Sequence, residues 1–193
     1  MSKKHFGYLY QGKKVGLRAL SLDDLNGNYL CWFNDPTTMR FSSNGTYHNT
    51  LPKFQKFIES LNGDKSRLVW AIDDLQTQQH IGNVSLQAID YVNRNAEFAI
   101  VLGEKAFCGK GYAKEAGQLV FKHGFERLNL HRIYCGTAIS NEGMCHLAES
   151  LQMAKEGQKR QALFLEGAYV DVMLYGIIQN EFLKNNKERQ DLS

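Results

Sequence analysis

The chain is short of the residues that mark special classes. Only two prolines occur, Pro36 and Pro52, which excludes a proline-rich linker. The four cysteines, Cys31, Cys108, Cys135 and Cys145, show no CxxC spacing. Neither a disulfide framework nor a metal site is indicated, and reduced thiols are the expectation. No uninterrupted apolar run exceeds five residues, against the roughly twenty that a membrane-spanning helix needs. The N-terminal segment carries lysines but no apolar stretch of the kind a signal peptide has. Charge of one sign is also scarce: 23 basic against 20 acidic residues leave +3. That excludes a basic nucleic-acid tail and an acidic solvating segment. The expectation is a cytoplasmic chain with neither a nucleic-acid nor a membrane partner.

What is there suffices for a core. With 193 residues, 43% of them apolar, the chain can form one domain that buries about two thirds of its unfolded surface. The domain is expected over 1–183, with 184–193 a charged, frayed tail.

Periodicity divides the domain into strands and helices. A strand is expected at 15–20. Leu22, Leu25 and Tyr29 follow at helical spacing, with Ser21 as cap, and predict a helix over 22–32. Asn34-Asp35-Pro36 stops it. A polar loop occupies 41–48. Phe54, Phe57, Ile58 and Leu61 predict a second helix over 51–61. Strands at 67–73, 80–90 and 95–102 have connections too short for helices and read as an antiparallel meander. A helix over 112–128, a strand at 131–138, a helix starting at Ser140-Asn141 and a closing hairpin of 155–163 with 169–178 complete an α/β domain. Its sheet is mixed but mostly antiparallel and is flanked by helices. Gly117 and Gly124, seven residues apart on one helical face, would let that helix approach the sheet closely.

The chemistry concentrates where the third meander strand meets the 112–128 helix. Gly109 and Gly111 interrupt Phe107-Cys108-Gly109-Lys110-Gly111-Tyr112-Ala113. Glycines here let the backbone bend and approach a ligand. Amides at the helix start can then point at an anion. Lys105, Lys110 and Lys114 raise the local potential, and Glu104 and Glu115 offset it in part. Spacing alone leaves two readings open, a phosphate cradle and a plain strand–helix turn. A P-loop is excluded because Tyr112 follows Gly111 where Lys is required, and a dinucleotide fingerprint because Lys114 stands where a third glycine would be.

Cys108-Gly109-Lys110-Gly111-Tyr112-Ala113 resembles the acyl-CoA loop of the GCN5-related N-acetyltransferase (GNAT) superfamily, [QR]-x-x-G-x-[GA]. It departs from that pattern at Cys108. The run from Ala96-Glu97-Phe98 through Leu128-Asn129-Leu130-His131-Arg132-Ile133, together with Trp32-Phe33-Asn34-Asp35-Pro36 and Gly167-Ala168-Tyr169-Val170-Asp171-Val172, is similar to the branch acting on ribosomal proteins, polyamines and amino sugars. The resemblance covers about 15–180, in order.

It implies acetyl-CoA as cosubstrate and direct acetyl transfer to a small-molecule primary amine, while the unpaired histidines and scattered cysteines point to no metal. Cys108, Gly109, Lys110, Gly111, Tyr112 and Ala113 would cradle the coenzyme. Backbone groups at Ile100 and Val101 would pair with its pantetheine arm and donate to the oxyanion. Glu97 would be the base, or else a strand acid facing Arg94. Asn141 matches a coenzyme-contacting asparagine and would equally serve as a helix cap. Relatives carry a tyrosine acid where this chain has Ala148, so no acid carries over. Trp32, Phe33 and Tyr47 would line the amine pocket, or else form a core cluster at a helix end. The resemblance favours a nucleotide-linked amino sugar as acceptor. A polyamine and a protein N-terminus stay open, as do a non-catalytic acyl-CoA-binding module and a homodimer.

Overall fold

A computed structural model describes residues 7–190, with side chains through Lys184; His5 and the last three residues of the expected tail lie outside them. Eight strands form one sheet: β1 (Tyr10–Gln11), β2 (Val15–Ala19), β3 (Leu68–Asp74), β4 (His80–Asp90), β5 (Asn95–Leu102), β6 (Arg132–Ala138), β7 (Ala154–Leu165) and β8 (Ala168–Ile178). Their spatial order is β1-β2-β3-β4-β5-β6-β8-β7. Five helices accompany them among the described residues: α1 (Tyr29–Asn34), α2 (Leu51–Ser60), α3 (Tyr112–Lys122), α4 (Glu142–Ser150) and α5 (Gln179–Gln190). The meander β3–β4–β5 is antiparallel throughout. The pair β5–β6 is parallel. A parallel return needs a long crossover, and the glycine loop with α3 supplies it.

Two apolar clusters sandwich the sheet. Strand β3 sends Trp70 and Ile72 into the larger one, shared with Ala116, Val120 and Phe121 of α3, Ala148 of α4 and Phe182 of α5. Ala71, on the opposite face of β3, joins Tyr29 and Trp32 of α1 and Phe54 and Ile58 of α2 in the smaller one. Phe98 meets Phe121 edge to face at 5.1 Å between centroids. Burying side chains of this size contributes about 1.5–3 kcal/mol each. The two helix glycines do allow close approach: a methyl at Gly117 would come within 2.7 Å of Leu151 Cδ1, and one at Gly124 within 2.9 Å of Ile133 Cδ1.

Four features differ from the sequence reading. The expected 22–32 helix is two pieces, a 3₁₀ turn (Leu22–Asn26) and α1, broken at Gly27-Asn28. Glycine's entropy cost and asparagine's preference for caps explain the break. The expected 112–128 helix widens after Lys122 into a π turn, His123–Arg127. The N-terminal segment, read only as charged, contributes β1, which pairs with β2 through Tyr10↔Leu17. The expected tail boundary at 183/184 falls inside α5, which runs to Gln190.

No helix among the described residues is long and apolar enough to cross a membrane. No group of three or more His, Cys, Asp or Glu among them could hold a metal ion.

Candidate active site

The parallel ladder between β5 and β6 is short. It pairs Asn95↔Arg132, Ala96↔Ile133 and Glu97↔Tyr134. Beyond Glu97 the strands separate. Strand β5 continues on β4 as far as Leu102, and β6 continues on β8 as far as Ala138. A wedge therefore opens between the C-terminal halves of two parallel strands, the end of an α/β sheet where ligands typically bind. Peptide groups of residues 98–102 that would have bonded β6 face this wedge. Ile100 and Val101 lie there, half-buried, opposite Val84 and Asn83 of β4.

Glu97 and Tyr134 face each other on the last rung. Gln87 Nε2 donates to Glu97 Oε2 at 3.3 Å. The alternative partner, Arg94, has its Nε buried and without a hydrogen-bond partner among the described residues. Burial and the nearby Glu97 charge push the Tyr134 phenol up.

The loop after β5 forms one lip of the wedge. Gly109 and Gly111 both take left-handed backbone, φ +72° and +88°, a conformation costly for any residue with a Cβ. Gly111 is the N-cap of α3, and with no side chain it leaves the first-turn amides to an external acceptor. Cys108, Gly109 and Lys110 are exposed, and Tyr112 and Ala113 half-buried. The loop is anchored from below. Tyr112 donates its hydroxyl to Asp74 Oδ1 at 2.9 Å, and Lys14 Nζ donates to the Lys110 carbonyl at 2.9 Å. Glu115 Oε1 accepts the backbone N–H groups of Lys13 and Lys14, joining α3 to the β1–β2 turn. A cleft of about 580 Å³ lies between that turn and α3, with Lys13, Gly111 and Lys114 in its wall.

Asn141 stands at the other lip, as the N-cap of α4. Its Oδ1 accepts the Met144 N–H at 3.2 Å and its Nδ2 donates to Thr137 Oγ1 at 3.0 Å. The capping role is therefore filled. Ala148 is fully buried in the larger cluster. Tyr175 is also a core residue; burial and a hydrogen bond with Cys145 raise its phenol far above the ordinary range.

On the opposite face, Phe33 and Tyr47 line a smaller cleft of about 210 Å³ with Asn34, Asp35 and His48. Trp32 does not share that wall. It is 5% exposed, and its indole N–H donates to Glu104 Oε1 at 3.0 Å. Sequence reading missed the roles of Glu104 and Lys105. Both looked like charges near a loop, whereas their partners lie about seventy residues upstream, beyond the reach of any local signal.

Comparison with known proteins agrees with this geometry. The family model described as "Acetyltransferase (GNAT) domain" matches residues 14–154. The chain is 28% identical over 183 residues to a spermidine N(1)-acetyltransferase of Vibrio cholerae, covering 90% of this chain and 98% of that one. It is 29% identical over 157 residues to a putative ribosomal N-acetyltransferase of Bacillus subtilis, covering 81% and 79%. A crystal structure of spermidine N-acetyltransferase from Vibrio cholerae in complex with CoA and spermine superposes with a TM-score of 0.82 at 28% identity, covering 89% of this chain and 99% of that one. Wedge, glycine loop and sheet order thus have a common explanation: the chain belongs to the GNAT acetyltransferase family and is an N-acetyltransferase.

Proposed function

We propose that the chain transfers the acetyl group of acetyl-CoA to a primary amine of a polyamine of the spermidine type. The observation that carries the transfer reaction is the wedge, with a carboxylate on its last rung and the glycine loop on its lip. The choice of acceptor leans on the spermidine-acetylating relatives, and it replaces the amino sugar that sequence resemblance favoured. Acetyl-CoA supplies the activated acyl group; Gly109, Lys110, Gly111 and the first-turn amides of Tyr112 and Ala113 would hold its phosphates. An alkylammonium has a pKa near 10.4 and must lose a proton before its nitrogen can attack. Glu97 takes that proton, directly or through one water. Peptide N–H groups near Ile100 and Val101, released from the ladder, donate to the developing charge on the carbonyl oxygen. As the carbon–nitrogen bond forms and the carbon–sulfur bond breaks, the leaving thiolate takes its proton from water, because Ala148 offers none. Glu97 is a carboxylate that would attract a polycation, whereas Asp35 is already paired with the Lys105 ammonium. Self-association is part of the proposal, since a Vibrio cholerae relative is dodecameric.

One observation favours an amino-sugar acceptor instead. The small cleft is lined by Phe33, Tyr47 and His48 as well as Asp35, so rings that can stack on a sugar or base outnumber the carboxylate there. Thiol release from acetyl-CoA with spermidine, a UDP-4-amino sugar and a ribosomal N-terminal peptide separates these readings. Turnover on spermidine is expected. Turnover on the sugar alone overturns the acceptor assignment, and coenzyme binding without thiol release on any amine would leave a binding module.

A further inference from the structure

Two consecutive residues at the start of the glycine loop grip α1 at both ends. Asn28, the N-cap of α1, donates from Nδ2 to Glu104 Oε1 at 2.8 Å, and Trp32 donates its indole N–H to the same oxygen at 3.0 Å. Asp35, the C-cap, faces the Lys105 ammonium, Oδ2 to Nζ 3.3 Å. Between these contacts the Trp32 ring lies on Gly103 so closely that a Cβ there would overlap it. The base of the grip is fixed: the N–H groups of Gly103 and Glu104 both donate to the Ile81 carbonyl, at 3.0 and 3.2 Å.

Helix α1 has six residues. A helix that short is not stable alone, so its order depends on what it touches. Its C-terminal end supplies Phe33, Asn34 and Asp35 to the smaller cleft. The residues that grip it run straight into the loop carrying Gly109 and Gly111. One face of the sheet is thereby tied to a loop that serves the other.

We infer that Glu104 and Lys105 are positioning residues that couple the two sites, so that a ligand fixed by the glycine loop orders α1 and with it the cleft beside Phe33. This rests on the coenzyme-loop reading proposed above. The loop is joined to the grip by a short 3₁₀ turn, Lys105–Phe107, in which the Glu104 carbonyl accepts the Phe107 N–H at 3.0 Å. Fixing it by its phosphate contacts narrows the positions open to Glu104 and Lys105, and so to Asn28, Trp32 and Asp35. Couplings of this kind are commonly fivefold or more in affinity. By reciprocity, an amine held against α1 tightens the grip on the coenzyme by the same factor.

Hydrogen exchange read by mass spectrometry, with CoA alone as probe, tests the coupling without knowledge of the acceptor. In the unaltered protein CoA is expected to slow exchange both at residues 109–116 and across α1, the latter by about fivefold. In Glu104→Ala/Lys105→Met the slowing at 109–116 should persist while that across α1 falls below about twofold. Glu104→Gln, which keeps an oxygen for Asn28 and Trp32, and Lys105→Arg, which keeps the charge, should each retain the α1 response. If the double variant melts too low to use, Lys105→Met alone carries the test, because the Lys105 side chain is 69% exposed and an exposed ion pair adds little stability. A response of α1 that survives these losses, or that is absent in the unaltered protein while 109–116 slows, overturns the coupling. No slowing at 109–116 in the unaltered protein sinks the coenzyme-loop reading itself, and the coupling with it.

Discussion

The Arg18 guanidinium meets the Asp24 carboxylate fork to fork, Nη1 to Oδ2 at 2.9 Å and Nη2 to Oδ1 at 2.7 Å. Its Nε donates to Asp73 Oδ2 at 2.7 Å, and His80 Nδ1 stands 3.3 Å from Asp24 Oδ1. The cluster joins β2, the turn after it, β3 and β4. It also underlies α1, since the His80 ring packs on Trp32 at 4.9 Å. Side-chain exposures of 13% for Arg18 and 6% for Asp24 make this a buried ion pair, in which each charge depends on its partner.

That dependence sets an acid limit. Burial alone would raise the Asp24 carboxyl, but hydrogen bonds from His80 and Arg18 outweigh it and hold the group well below the usual carboxylate range. A folded-state pKa below the unfolded value of about 4 means the stabilisation is fully present above that pH. It is lost as pH falls from about 4 toward the lower folded value. Urea denaturation from pH 7 to pH 3 should therefore show stability falling steeply below pH 4. Asp24→Asn should be less stable at pH 7 by about 3–5 kcal/mol and should lose stability less steeply in acid. Parallel acid limbs for the two proteins would count against Asp24 as their source.

The strands and the glycine loop were legible because they are written locally. In β5 the apolar Ala96 and Phe98 are buried between half-buried Asn95 and Glu97, and in α3 Ala116 and Val120 are buried one turn apart. The wedge was not legible, because it depends on where the β5–β6 ladder stops. Trp32 and Phe33 looked alike in sequence, yet one is buried on Glu104 and the other lines a cleft. Only the direction in which α1 lies on the sheet distinguishes them. Asp24 accepts the Ser21 N–H at 2.8 Å, a capping contact within local reach of the sequence. Its larger role comes from Arg18 and His80, brought together by strand pairing.

Replacing Glu97 by Gln tests the base. The amide keeps the size of the side chain and a partner for Gln87 but cannot accept the ammonium proton. A general base typically contributes about 10²–10⁴-fold, so kcat should fall by that order while the Kd for CoA changes by less than about twofold. An unchanged rate between pH 6 and pH 9 would remove Glu97 from the reaction.

Gly111→Ala isolates the left-handed cap of α3. Among the described residues, an added Cβ would come no closer to another part of the chain than Lys14 Nζ, at 4.0 Å, so the cost is backbone strain, about 1–2 kcal/mol. For a chain of this size that lowers Tm by about 2–8 °C. If relief of the strain turns the first-turn amides away from the phosphates, the Kd for CoA should rise about tenfold, equivalent to about 1.4 kcal/mol. Calorimetric titration reads this, and unchanged affinity would mean that the amides do not hold the coenzyme.

Thiol accessibility offers the most direct reading of where the coenzyme sits. Cys31 and Cys108 are exposed and Cys135 is buried, where burial, with Glu97 as a nearby negative charge, pushes its thiol up to about 12. The thiolate is the reactive form. Iodoacetamide at pH 8 should therefore modify Cys31 and Cys108 and leave Cys135 untouched until the protein unfolds. Cys108 adjoins Gly109 in the glycine loop, whereas Cys31 lies on α1 across the sheet. CoA at ten times its Kd should slow Cys108 about tenfold, in proportion to the free protein that remains. Cys31 is exposed on α1, away from the glycine loop, and should slow much less than Cys108 even where CoA orders the helix. Equal slowing of both thiols would place CoA somewhere other than the loop, and no slowing of either would leave the loop without a bound coenzyme.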